Sequence, residues 1–212
     1  MTVSTPQLES ATAEEVVAYA VERFHPRLKT ACSFQKEESV LAHMLARQAP
    51  DARLFVIDTG VLFGETLKTW KRFEERFPEL RFEAVDASSG PGNAPWTQQN
   101  CCGEAKVAAL NSALSSGADA WITGIRREQS PTRADAAKLE QDQKRGIWKL
   151  NPLADWSDRD VWSYIFKHDL PYNPLHDAGY ESIGCEPCTL PGSGREGRWA
   201  GEDKTECGLH VE

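Results

Sequence analysis

Leu54-Phe55-Val56-Ile57-Asp58-Thr59-Gly60 is the stretch that decides the fold class. Four apolar residues follow one another without alternation, then give way to an acid, a hydroxyl and a glycine. A strand with one wet face alternates apolar and polar residues. A strand covered on both faces is apolar throughout, as in a parallel sheet sandwiched by helices. The flanks agree. Upstream, Thr12-Ala13-Glu14-Glu15 reads as a capping box, opening a helix with the apolar stripe Val16, Val17, Ala20, Val21 and Phe24. A short strand follows over 28–34, then a helix over 37–47. Downstream, helices over 65–77 and 104–114 alternate with strands over 81–85 and 119–124. Residues 86–100 are rich in Gly, Pro, Ser and Asn and read as a loop. The stretch from the 126–133 loop to Gly146 reads as partly mobile, Ile147-Trp148-Lys149-Leu150 as a fifth, exposed strand, and Ser157 as the cap of a helix running to His168.

This alternation predicts an α/β fold, a parallel-rich sheet with helices on both faces. Ligands of such sheets sit at the carboxyl ends of the strands, at a topological switch point. The expected pocket walls are therefore Ser33-Phe34-Gln35, Asp58-Thr59-Gly60 and Gly124-Ile125-Arg126-Arg127. One α/β domain over 1–190 and a flexible C-terminal tail over 191–212 account for the chain.

The cysteines supply the chemistry. Cys101 and Cys102 are adjacent, and a disulfide between sequence neighbours needs strained peptide geometry. Cys185-Glu186-Pro187-Cys188 adds a second pair. Four thiolates bind zinc or an iron–sulfur cluster. Adjacent cysteines at a helix start diverge by roughly 100°, which suits the separated corners of a [4Fe–4S] cubane better than a compact zinc ion. Cys32 falls in a strand and reads as a small buried hydrophobe. Cys207, in Glu206-Cys207-Gly208-Leu209-His210, lies in a glycine-flanked tail and is expected to be exposed and usable as a nucleophile. His210 is placed to stabilise its thiolate or bind an anion.

Six cysteines in 212 residues, with no basic-then-apolar leader at the N-terminus, point to a reducing compartment, hence the cytoplasm. A net charge of −8 speaks against a general nucleic-acid binder, and no apolar run approaches the ~20 residues of a membrane span. The arginines are nevertheless clustered: Arg126, Arg127 and Arg133 in one loop, Arg195 and Arg198 in Gly194-Arg195-Glu196-Gly197-Arg198-Trp199. Guanidinium forks bind phosphate and sulfate oxygens bidentately. Lys106 lies one helical turn beyond Cys102, on the same face. Ser33-Phe34-Gln35-Lys36-Glu37-Glu38-Ser39 joins a strand to a helix, and reads equally as a phosphate-binding turn or an ordinary N-terminal cap.

Taken together, these stretches resemble the assimilatory sulfonucleotide reductases, in particular adenylyl-sulfate (APS) reductases of the bacterial type. The resemblance runs from Ser33-Phe34-Gln35 to Glu206-Cys207-Gly208-Leu209-His210, and the cysteine pairs and the tail carry most of its specificity. It implies a nucleotide-binding fold akin to the adenine nucleotide alpha hydrolases and ATP pyrophosphatases, whose Ser-Gly-Gly-x-Asp-Ser loop is replaced here by residues 33–39. It implies thiol-dependent reduction of APS to sulfite and AMP through a thiosulfonate on Cys207, and a [4Fe–4S] cluster on Cys101, Cys102, Cys185 and Cys188. A thioredoxin or glutaredoxin-like dithiol would be the partner. Members with both cysteine pairs mostly use APS, and those without them its 3′-phosphorylated form, PAPS. Lys106, Arg195, Arg198 and His210 are the expected phosphosulfate contacts; Ser33, Phe34, Gln35, Asp58, Thr59, Arg126 and Arg127 are the expected AMP contacts. The rivals are a PAPS reductase, an ATP-dependent sulfurtransferase on the same fold and a metal-binding regulatory module. Assembly into a homo-oligomer is compatible with all of them.

Overall fold

A computed structural model describes residues 8–88 and 103–199. The expectations placed on Cys101, Cys102, Cys207 and His210 lie outside the described residues. In chain order the elements are helix α1 (Ala13–Phe24), strand β1 (Leu28–Ala31), α2 (Lys36–Gln48), β2 (Arg53–Asp58), α3 (Gly64–Arg76) and β3 (Arg81–Asp86). After these come α4 (Glu104–Ser115), β4 (Ala120–Ile122), β5 (Leu139–Asp142), β6 (Ile147–Leu150) and α5 (Asp158–Lys167). The six strands are ordered β3-β2-β1-β4-β6-β5. Every neighbouring pair is parallel except β5 and β6.

The unbroken apolar run becomes β2 for the reason its pattern gives. Successive side chains on a strand point to opposite faces. Leu54 and Val56 enter one core with Leu41, Phe73 and Ile165, from α2, α3 and α5. Phe55 and Ile57 enter a second core with Leu110 and Leu114 of α4. Strand β4 divides the same way, Ala120 and Ile122 to the first core and Trp121 to the second. Each fully buried side chain of this size contributes about 1.5–3 kcal/mol of apolar burial. The first helix opens as read: Thr12 accepts from the Glu15 amide at 3.2 Å and Glu15 accepts from the Thr12 amide at 2.7 Å.

The region before Gly146 departs from its reading. Residues 139–142 form β5, a hairpin partner of β6, registered Leu139 to Leu150 and Asp142 to Ile147. Leu-Glu-Gln-Asp carries one apolar residue, so no period is visible. Ion pairs hold the strand instead: Lys149 to Glu140 at 2.7 Å and Arg145 to Asp142 at 2.8 Å. In consequence β6, expected to be exposed, lies inside the sheet between β4 and β5. Leu150 is fully buried, and Trp148 remains 40% exposed.

The sheet extends from β1 in two directions, to β2 and β3 on one side and to β4 and β6 on the other. The crevice between the ends of β1 and β4 is the switch point where such folds bind ligands.

Candidate active site

A cleft of about 240 Å³ opens there. Its first wall comes from the strand ends. Cys32 to Glu38 leave β1 and start α2, Thr123 to Arg126 leave β4, and Asp158 starts α5. Phe34 makes the turn possible by adopting φ +57°, a left-handed conformation that costs a non-glycine residue about 1–2 kcal/mol. Its ring is fully buried, 5.4 Å from Trp70 and 5.2 Å from Phe73. Phe34 therefore serves as a core anchor that fixes the backbone of the turn. Gly124 is required for close approach, since a Cβ there would lie 2.7 Å from Glu38 Oε1 and 2.8 Å from Glu37 Cβ.

Charges on this wall are paired with one another. Arg126 donates through Nε to Glu37 Oε1 and through Nη2 to Asp158 Oδ1, both at 2.9 Å. Lys36 Nζ pairs with Asp158 and lies 5.6 Å from the centre of the Trp162 ring. Burial pushes Asp158 up, but Lys36 and Arg126 outweigh it and hold the carboxyl below its usual range. Glu38 goes the other way. Burial, and then the neighbouring Glu37 charge, push it up to about 8. It accepts from Ser33 Oγ at 3.0 Å and from the Gln35 amide at 2.9 Å.

The second wall is built by Lys106 near the start of α4 and by the segment 181–198. Arg198 is 7% exposed and donates through Nη1 to Ser182 Oγ at 3.3 Å and the Ile183 carbonyl at 3.2 Å. Its guanidinium covers the Trp199 ring at 4.5 Å, and its Nε has no hydrogen-bond partner among the described residues. Gly184 leaves room for it, because a Cβ there would sit 2.5 Å from Arg198 Cζ. Arg195 also lines this wall, 5.4 Å from the Trp199 ring. Residues up to Trp199 are packed onto the body. Leu190 donates to the Gly197 carbonyl at 2.8 Å and Trp199 to the Cys188 carbonyl at 3.0 Å. The expected boundary at 190/191 cuts through this packed segment. Gln35 ties the two walls together, its Oε1 accepting from the Ile183 amide at 2.7 Å.

Cys185 and Cys188 occupy one short turn beside the second wall and are 0% and 5% exposed. The Cys188 amide donates to the Cys185 carbonyl at 3.2 Å, and the Thr59 hydroxyl is 3.2 Å from Cys185 Sγ. Two thiols buried on one turn are the donor chemistry of half a metal–sulfur ligand set, and they fit an iron–sulfur cluster in this respect. Cys32 is different in kind. Among the described residues no second thiol accompanies it, and burial, then Glu38, push its pKa well up, so it is a poor nucleophile.

The sequence-derived contacts therefore divide. Ser33, Gln35, Lys106, Arg195, Arg198 and Arg126 all line the cleft, Arg126 with its charge already matched. Arg127 does not: it turns to Glu9 Oε2 at 2.6 Å and to the Ala136 carbonyl at 2.8 Å. Nor do Asp58 and Thr59. Asp58 folds back on the Gly60 amide at 2.8 Å and Thr59 is buried against Cys185. Neighbouring residues in a loop point in different directions, and sequence alone cannot sort them. Cleft residues that the reading left without a role are Glu37, Glu38, Gln129 and Asp158, with Arg133 reaching Gln129 Oε1 at 2.5 Å. A Lys-Glu-Glu run at the start of a helix was the available signal for the first two.

A family model described as phosphoadenosine phosphosulfate reductase domain matches residues 27–191. An adenosine 5′-phosphosulfate reductase of Geobacillus sp. is 41% identical over 216 residues, covering 96% of this chain and 92% of the relative. A phosphoadenosine 5′-phosphosulfate reductase of Gloeobacter violaceus is 43% identical over 220 residues, covering 97% and 91%. Among solved structures, the phosphoadenylyl-sulfate reductase from Candida auris superposes with a TM-score of 0.73 at 24% identity, covering 90% of this chain and 99% of that one. The FMN adenylyltransferase of Candida glabrata superposes with a TM-score of 0.66 at 17% identity, covering 88% and 65%. These two structural likenesses speak for the fold alone, an α/β fold on a mostly parallel six-stranded sheet.

Proposed function

The chain belongs to the phosphoadenosine phosphosulfate reductase domain family and is a sulfonucleotide reductase of sulfate assimilation, and from that premise we propose that its substrate is adenosine 5′-phosphosulfate. The observation that carries the reading is the second wall: Lys106, Arg195 and Arg198 converge on one cleft at the switch point, beside the Cys185–Cys188 turn. Relatives of nearly equal identity are named for both nucleotides. The two cysteine pairs favour APS, by the resemblance described above.

Lys106, Arg195 and Arg198 would hold the phosphosulfate, with His210, while Ser33 and Gln35 line the nucleoside side. The Cys207 thiolate attacks the sulfate sulfur. Its S–S bond forms as the sulfur–oxygen bond to the phosphate breaks, and AMP leaves with the electron pair. The guanidinium and ammonium groups stabilise the charge that moves onto the phosphate oxygen. The product is a thiosulfonate on Cys207. A thioredoxin or glutaredoxin-like dithiol then attacks the Cys207 sulfur, sulfite departs, and the second thiol resolves the mixed disulfide. Both electrons come from that dithiol. Cys101, Cys102, Cys185 and Cys188 would hold a [4Fe–4S] cluster, which would supply a fixed local charge near the cleft. With its dithiol partner, the enzyme would work in the cytoplasm.

The test is mass spectrometry of anaerobic protein mixed with APS and no dithiol. The peptide containing Cys207 should gain one SO₃ group, Cys207→Ser should gain none, and kcat/KM should be higher for APS than for PAPS. An adduct on another cysteine, or a higher kcat/KM for PAPS, overturns the corresponding part.

A further inference from the structure

Glu181 is a carboxylate on the wall that also carries Lys106, Arg195 and Arg198. A carboxylate repels an anionic ligand, so its place there calls for a compensating reason. Its two oxygens supply one. Oε2 accepts from the Gly194 amide at 2.5 Å, and Oε1 accepts from the Ser193 hydroxyl at 3.4 Å. Both partners sit at the outer end of a loop whose neck is closed by the Leu190 amide on the Gly197 carbonyl. The first limb of that loop is held by the same stretch of backbone: the Gly192 amide donates to the Gly179 carbonyl at 3.0 Å, and the Glu181 amide donates to the Gly192 carbonyl at 3.4 Å. Gly194 adopts φ +53°, a left-handed conformation that glycine reaches without steric cost, and Arg195 follows directly. The two arginines depend on this loop to different degrees. Arg198 is buried and has its own anchors in Ser182 and the Ile183 carbonyl. Arg195 is half-buried on an exposed loop, so where its guanidinium stands depends on where the loop is held.

We propose that Glu181 is a positioning residue for the reaction: its carboxylate clamps Ser193 and Gly194, and thereby fixes Arg195 on the cleft wall for the phosphosulfate. The negative charge is tolerated there because both oxygens are engaged by the loop. The clamp acts on Arg195 through the backbone. It reaches Arg198 only weakly, through the Arg198 amide that donates to the Arg195 carbonyl at 3.0 Å. Lys106 stands on α4, outside the loop, and owes nothing to the clamp. The proposal rests on the phosphosulfate reading of Arg195, whereas the clamp itself is a property of the ligand-free loop.

The test uses the full chain, purified anaerobically, and reads two quantities: amide hydrogen–deuterium exchange at Gly194 without ligand, and kcat/KM for APS. Glu181→Ala should speed exchange at Gly194 about tenfold and lower kcat/KM about tenfold, the low end of what a hydrogen bond to a charged group contributes. Glu181→Gln keeps an acceptor for the Gly194 amide and should return both readings to within about twofold of the wild type. A double-mutant cycle separates positioning from general stability. On an Arg195→Ala background, Glu181→Ala should cost less than about twofold more, because the group it positions is gone; on a Lys106→Ala background the full loss of about tenfold should persist. Unchanged exchange at Gly194 in Glu181→Ala, or an equal loss on both backgrounds, overturns the proposal. Wild-type kcat/KM in Arg195→Ala alone overturns the phosphosulfate reading of Arg195, while lost protection at Gly194 would still establish the clamp.

Discussion

Arg126 and Arg198 both line the cleft and are both nearly buried, at 3% and 7% exposure, yet they keep different company. Arg126 is surrounded by carboxylates: Glu37 and Asp158 at 2.9 Å and Glu128 at 3.6 Å. Arg198 touches a hydroxyl, a backbone carbonyl and an indole face. A buried charge already neutralised by side chains is part of the scaffold, and removing it strands its partners. Among the described residues, a buried charge such as that of Arg198 that meets only neutral dipoles keeps most of its field for an incoming anion. Residue type and location in the cleft are the same for both, and the partners make the difference.

The sharpest way to break this contrast is to remove Arg126. Arg126→Ala leaves Glu37, with a side chain only 5% exposed, uncompensated. The expected loss is about 3–5 kcal/mol of stability in denaturant unfolding. A loss below about 1 kcal/mol would mean that the first wall is not a structural charge network.

Glu38 sharpens the contrast through pH. Its folded pKa is about 8 against a usual value near 4.5. Between those values the folded state keeps a proton that the unfolded state releases, so stability falls as pH rises from about 4.5 to about 8. Glu38→Gln preserves the neutral shape and should flatten this limb of a Tm-versus-pH curve. An unchanged limb would show that Glu38 ionises normally in the fold.

A smaller effect belongs to His43, which lies between α2 and α5. Burial, then His168, Arg47 and Arg76, push its pKa down to about 4. The unfolded state takes up a proton below about 6.5 that the folded state refuses, so stability is lost as pH falls from about 6.5 to about 4. His43→Gln should remove no more than about 1 kcal/mol of that loss, because the ring is partly solvated. A steeper acid limb in the variant would contradict the sign.

How much of this could be read in advance follows from which forces leave a trace in sequence. Leu54 to Ile57 announced a doubly covered strand because burial on both faces leaves no polar position to alternate with. Thr12 and Ser157 announced helix starts because capping is local. Leu139 to Asp142 could not be read, because that strand is held by Arg145 and Lys149 rather than by an apolar period. In the site, Arg195 and Arg198 stand out in the sequence as a basic pair on a glycine-flanked segment, and both line the cleft; that they bind the phosphosulfate is the proposal. Arg127 was misread with Arg126, since one step along a loop sends one guanidinium into the cleft network and the other to Glu9. Glu181 left no trace at all. Its partners Ser193 and Gly194 lie beyond the cysteine turn, and one of the groups it holds is a backbone amide.

The contrast between the walls is tested most directly by kcat/KM for APS-dependent sulfite release in Arg198→Ala. The account predicts a fall of about 10²–10³-fold, the scale of losing one charge-stabilising group in the transition state. Stability should change by no more than about 1.5 kcal/mol, since the hydrogen bonds given up among the described residues are neutral ones. A kcat/KM near that of the wild type would contradict it, and would mean that the charge on the second wall is as structural as the charge on the first.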